Sequence, residues 1–94
     1  MAVTSLLEID LRKVLNIVER MCRVKLPSKV VEVSLLPSEG ILHVRFSEPK
    51  KLELGEPLHP LVHIYRDEDT NEITALEIID LEKLLEHSHS KDVE

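Results

Sequence analysis

The hydrophobic period of this chain changes once, near residue 30, and that change decides what it can fold into. Before it, Leu7, Leu11, Val14, Val18 and Met21 recur at helical spacing, flanked by Leu15 and Cys22 on one side and Ile17 on the other. After it, Val31, Val33 and Leu35 alternate with Glu32 and Ser34. A stripe of period 3.6 is buried by a helix, and a stripe of period 2 by one face of a strand. The chain therefore reads as α+β: an amphipathic helix, then antiparallel strands.

The helix is expected over residues 5–23. Ser5 with Glu8 fits a capping box, in which hydroxyl and carboxylate satisfy the first free amides. Arg12, Asn16, Glu19, Arg20 and Arg23 share the polar face, and Ile9 points there against the pattern. Pro27 is expected to stop the helix, because its ring disfavours a helical residue before it.

The strands follow from alternation and turn chemistry. Pro37-Ser38-Glu39-Gly40 is a turn between the Val31–Leu35 run and a second run of Leu42, Val44 and Phe46. Pro49, Pro57 and Pro60 break the pattern that follows, leaving Lys51-Leu52-Glu53-Leu54 as a short edge strand. Residues 61–66 form another strand, with Val62 and Ile64 inward. Asp67 to Asn71 make a solvated acidic turn, and residues 72–79 a last strand with Leu76 and Ile78 inward. Asp80 caps a short helix holding Leu81, Leu84 and Leu85.

The expectation is one domain over residues 1–94. A helix at 5–23 packs on a four- to five-stranded antiparallel meander at 30–79. A short helix at 80–88 and a mobile tail at 89–94 follow. With 94 residues and 43% of them apolar, there is material for one core.

The opening residues lack a basic segment, and Glu8 and Asp10 interrupt the apolar ones, so no secretory signal is expected. No apolar run approaches the roughly 20 residues of a membrane helix. Cys22 is the single cysteine and cannot close an intrachain disulfide. A cytoplasmic location is expected. Glutamine is absent while Glu, Lys and Arg abound, a bias resembling thermophile proteins.

Charge is unevenly spread. The total is −6, but residues 1–30 hold six basic against three acidic side chains. Arg12, Lys13, Arg20, Arg23 and Lys25 are candidate phosphate contacts. The acidic remainder and only two aromatic side chains, Phe46 and Tyr65, make nucleic-acid binding the alternative rather than the main expectation.

No catalytic constellation emerges. Gly40 and Gly55 are the only glycines, so there is no phosphate loop. Cys22 sits beside the apolar stripe as a small hydrophobe. His59 and His63 are four apart, but Pro60 and the alternation there argue against a helix. His87 and His89 lie in the tail, and the acidic turn lacks the Gly and distal Glu of a calcium loop. No metal and no cofactor is expected.

The second face of the sheet carries Leu61, Tyr65, Ile73, Ala75 and Ile79 beside His43, Arg45, His63 and Glu77. That is more apolar than a wetted face, and Glu77 is expected to pair with Arg45 across it or to bind a partner's cation. Such a face is covered either by the C-terminal helix or by a partner chain; with unpaired strand edges it points to protein contact and a homodimer, without enzymatic activity.

From Val33 to Leu85 the chain resembles a prokaryotic family known as domain of unknown function 2283. The likeness rests on Leu36-Pro37-Ser38-Glu39-Gly40-Ile41-Leu42-His43-Val44-Arg45-Phe46 and on the stretch from Asp67 to Ile79. Leu36 and Gly40 stand where the family has Asp, His43 where it has Tyr, and Ala75 where it has Gly. Glu77 matches the Glu of the family's second block. The resemblance implies a helix-plus-meander fold with no established activity. It also implies an antitoxin-like role as the inhibitory partner of another small protein.

Overall fold

A computed structural model describes residues 2–50 and 52–86, with side chains from residue 11 onward. Helix α1 runs Ala2–Cys22. It starts three residues before the expected cap, so Ser5 lies inside it. The Ser5–Glu8 capping contact, Leu7 and Ile9 involve side chains outside the described ones. Further along, Val14, Ile17 and Val18 are buried, while Leu11, Leu15, Met21 and Cys22 pack at the margin of the same core.

The helix ends before Pro27, through a different device. Arg23 turns left-handed at φ 56°, and the Val24 amide donates to the Glu19 carbonyl at 3.2 Å. This is the six-to-one bond of a Schellman end, with arginine where glycine is usual. The Glu19 carboxylate then accepts from the Leu26 amide at 2.8 Å, drawing the chain back so that Leu26 enters the core.

Five strands form one antiparallel sheet: β1 (Glu32–Leu36), β2 (Ile41–Arg45), β3 (Glu53–His59), β4 (Val62–Asp67) and β5 (Ile73–Ile78). The order is β1-β2-β5-β4-β3. The α+β class is as expected, but the strand order departs from an unbroken meander. β1 and β2 form one hairpin and β3, β4 and β5 a consecutive meander, and β5, not β3, closes against β2. The segment 46–52 carries the chain past two strands, about 14 Å at ordinary strand spacing.

Strand β3 is longer than expected and contains both Gly55 and Pro57. An edge position tolerates them, because proline then withholds no ladder bond, and the register shifts between Pro57 and His59. A turn through Pro60 and Leu61 joins β3 to β4. The β1–β2 turn closes on the Leu36 carbonyl, which accepts from Glu39 and Gly40, the latter at φ 71°. Asp80 Oδ1 accepts from the Lys83 amide at 3.1 Å, capping the short helix α2 (residues 81–86) as expected. Residues 87–88 of the expected helix and the 89–94 tail lie outside the described residues.

Leu42, Val44, Val62, Ile64, Leu76 and Ile78 form one core with Val14, Ile17 and Val18 of α1 and Leu84 of α2. Both helices therefore sit on the same side of the sheet.

Candidate protein-interaction surface

Register builds the opposite face. His43 pairs with Glu77, and Glu77 with His63, so the three stand in one row across β2, β5 and β4. In the next row Arg45 pairs with Ala75, Ala75 with Tyr65, and Tyr65 with Gly55. Five of the eight expected contact residues, His43, Arg45, His63, Tyr65 and Glu77, are thus brought together, all half-buried. Ile79, just beyond β5, is half-buried and outside the core cluster.

Leu61 and Ile73 go elsewhere, which corrects the expectation for both. Leu61 lies in the β3–β4 turn and packs against the helix-side core. Ile73 is 8% exposed and belongs to that core. The cause is a bulge: Tyr65 pairs with Ala75 but Arg66 pairs with Ile73, so Thr74 is an extra residue on β5. One inserted residue moves the side chain beyond it to the other face.

The expected Glu77–Arg45 pair is also replaced. The Tyr65 hydroxyl donates to Glu77 Oε1 at 2.9 Å, and its ring stands 6.2 Å from that of His43. The Tyr65 ring also covers Gly55, where an added Cβ would lie 3.3 Å from Cε2. Burial first, and then the Glu77 carboxylate beside it, push the phenol above its ordinary value. It is held as a neutral donor rather than a base.

Arg45 instead clamps Glu53 from β3, with Nη1 to Oε1 at 2.8 Å and Nη2 to Oε2 at 3.3 Å. The bulged Thr74 adds its hydroxyl, donating to the same Oε1 at 2.7 Å. The Arg45 bond first, and then that from Thr74, hold Glu53 below the usual carboxylate range, against the opposing effect of burial. The same Glu53 bond raises Arg45. Glu53 was not singled out by sequence, though a Glu alternating with Leu52 and Leu54 was a usable signal.

Asp67 departs from the expected solvated turn, while Glu68 and Asp69 remain exposed. It is buried, and its carboxylate accepts from the amides of Lys50 at 2.8 Å, Asp69 at 2.7 Å and Thr70 at 3.4 Å. These bonds, that from Lys50 foremost, lower its pKa. Asp67 thereby ties the 46–52 crossing to the β4–β5 turn.

Among the described residues no three His, Cys, Asp or Glu side chains are arranged to hold a metal ion. His59 Nδ1 accepts from the Leu61 amide at 3.1 Å, which fixes the β3–β4 turn. His87 and His89 lie outside the described residues. Burial raises the Cys22 thiol, which keeps it from acting as a ready thiolate.

The cations of the alternative surface, Arg12, Lys13, Arg20, Arg23 and Lys25, are all exposed. Arg12 and Lys25 line one hollow of ≈ 210 Å³. Lys25 also borders a wider hollow of ≈ 660 Å³ with Lys29 and Arg66, floored by Leu26, Phe46 and Ile73. Lys13, Arg20 and Arg23 line neither.

No described helix is long and apolar enough to cross a membrane. Comparison with known proteins found no matching family model, no similar curated protein and no similar solved structure.

Proposed function

We propose that this chain is a non-enzymatic protein-interaction module of the cytoplasm. It forms a homodimer and presents the sheet face around His43, Arg45, His63, Tyr65 and Glu77 to a further small protein. One observation carries the reading: the sheet is broader than its cover. Both helices pack on one side, yet Val33 and Leu35 on that side remain half-buried, with Val31 50% and Leu36 51% exposed beside them. Surface of this kind is stabilised by a second protein surface. An inhibitory role toward that small protein is the form suggested by the family resemblance.

Multi-angle light scattering tests the self-association. Between about 10 and about 500 μM, the range in which small interfaces assemble, the mass is expected to rise from that of a monomer toward a dimer. A constant 10.8 kDa across that range sinks the homodimer.

A second reading, nucleic-acid binding through the basic face of α1, is supported by the exposure of Arg12, Lys13, Arg20, Arg23 and Lys25. Fluorescence polarisation with a labelled DNA duplex tests it. Binding that weakens steeply with salt, and on Arg20→Glu with Arg23→Glu, would displace the protein-contact reading.

A further inference from the structure

The two edges of the sheet are built differently. Strand β3 carries Pro57, a register shift, Gly55, and the acidic Glu53 and Glu56. These are the devices by which an edge refuses another strand. Strand β1, Glu-Val-Ser-Leu-Leu, has no proline, glycine, lysine or arginine and a single acid, Glu32, at its end, and among the described residues it pairs only with β2. Its inward side chains are not finished either. Val33 and Leu35 are half-buried, whereas Val44 and Leu42 opposite them on β2 are completely buried. The core face therefore runs past its cover at this edge.

We infer that β1 is the seam of the homodimer: β1 of a second copy adds antiparallel to it, with the two-fold axis at Ser34. The inference rests on the self-association proposed above and places it. Centring on Ser34 pairs all five residues of the strand. Val33 then faces the partner's Leu35, and Leu35 the partner's Val33, closing the half-covered margin with apolar pairs. On the other face Ser34 meets Ser34, and each Glu32 lies beside Leu36, which is 51% exposed in the single chain. The two Glu32 side chains are held four residues apart, about 13 Å, so no like charges meet. Centring on Val33 or Leu35 shortens the pairing, and the latter sets Val33 against Pro37. A five-residue seam is small, and the dimer is correspondingly weak, with a Kd on the order of 10–100 μM. It joins two five-stranded sheets and leaves the Tyr65–Glu77 face free in both copies.

Disulfide trapping tests the register. In a Cys22→Ala background, Ser34→Cys places two thiols across the axis at a Cα separation of about 5 Å, within disulfide reach. Mild oxidation at about 100 μM protein, within the Kd range above, is expected to convert most of it to covalent dimer. Glu32→Cys, exposed but far from its copy, should stay largely monomeric. Ser34→Glu, also at an exposed position, brings two carboxylates together; it should weaken the dimer about tenfold and less in high salt, with an unchanged circular dichroism spectrum. Equal trapping at positions 32 and 34 overturns the register. Wild-type dimer by light scattering with no trapping at Ser34→Cys overturns the seam alone. A monomer at every concentration overturns the seam and the self-association together.

Discussion

Replacing Thr74 by Val removes one hydroxyl from an otherwise isosteric site. Thr74 is 2% exposed, and its single hydroxyl proton goes to Glu53 Oε1 at 2.7 Å rather than to the Tyr65 carbonyl at 3.2 Å. A hydrogen bond to a charged group is worth about 1.5–3 kcal/mol. Glu53 keeps both Arg45 bonds in the variant, and its side chain is 20% exposed, so water repairs part of the loss. The expected cost at pH 7 is about 1–2 kcal/mol. For a domain of this size that lowers Tm by about 5–10 °C. Urea unfolding followed by circular dichroism measures it. The pH dependence separates hydroxyl from packing. Glu53 has its pKa lowered by folding, so the stability it contributes is present above the ordinary carboxylate value and is lost as pH falls through the folded one. The Thr74→Val penalty should shrink in acid, as pH falls below the ordinary carboxylate value and Glu53 protonates. A penalty below about 0.5 kcal/mol at pH 7, or one equally large in acid, would refute the charged network as its source.

Three other outcomes follow from the same geometry. Arg23→Gly removes a left-handed strain of about 1–2 kcal/mol at the end of α1 and gives part of it back as chain entropy; a net gain of about 0.5–1 kcal/mol is expected in the same urea assay, and a loss would mean that the Arg23 side chain matters. Asp67→Ala strips three backbone amides of their acceptor and should destabilise the fold at pH 7; because the Asp67 pKa is lowered by folding, the deficit should narrow in acid, and thermal melts showing a pH-independent deficit would count against it. Tyr65 is the sole tyrosine, so absorbance near 295 nm titrates it alone; its midpoint should lie above about 10 and fall in Glu77→Gln, and the stability it contributes, complete below that value, should be lost as pH rises through the folded midpoint.

What could be read from the residues was whatever repeats or punctuates locally. The period change at residue 30, the Pro37–Gly40 turn, the Asp80 cap and the inward set of Leu42, Val44, Val62, Ile64, Leu76 and Ile78 all appear where expected. What could not be read depends on partners distant in sequence. Asp67 looked like a solvated acid because the amide of Lys50, its far partner, arrives only when the 46–52 crossing is laid down. Ile73 continued the alternation of Ala75 and Glu77, and nothing local announces that Thr74 bulges out. The bulge is fixed from outside, where the Phe46 and Ser47 amides both donate to the Thr74 carbonyl. Glu77 and Arg45 were rightly put on one face but wrongly paired, since each had a partner that only the fold supplies, in Tyr65 and Glu53.

The strand order itself was within reach of the residues. In an unbroken meander β3 would be the central strand, bonded on both sides. Pro57 would then leave a ladder carbonyl without its donor, and Gly55 would offer no side chain to either neighbour. At the edge both costs fall away, and the Tyr65 ring folds over Gly55 to supply the missing cover. The strand fit for the middle is β5, Ile-Thr-Ala-Leu-Glu-Ile, without glycine or proline and buried at five of its six positions. Pro57 and Gly55 thus push β3 outward and leave β5 to pair with β2. The same reasoning singles out β1. Glu-Val-Ser-Leu-Leu is a strand of interior type lying at an edge, with neither the proline nor the glycine of the other edge and with its single charge, Glu32, at one end.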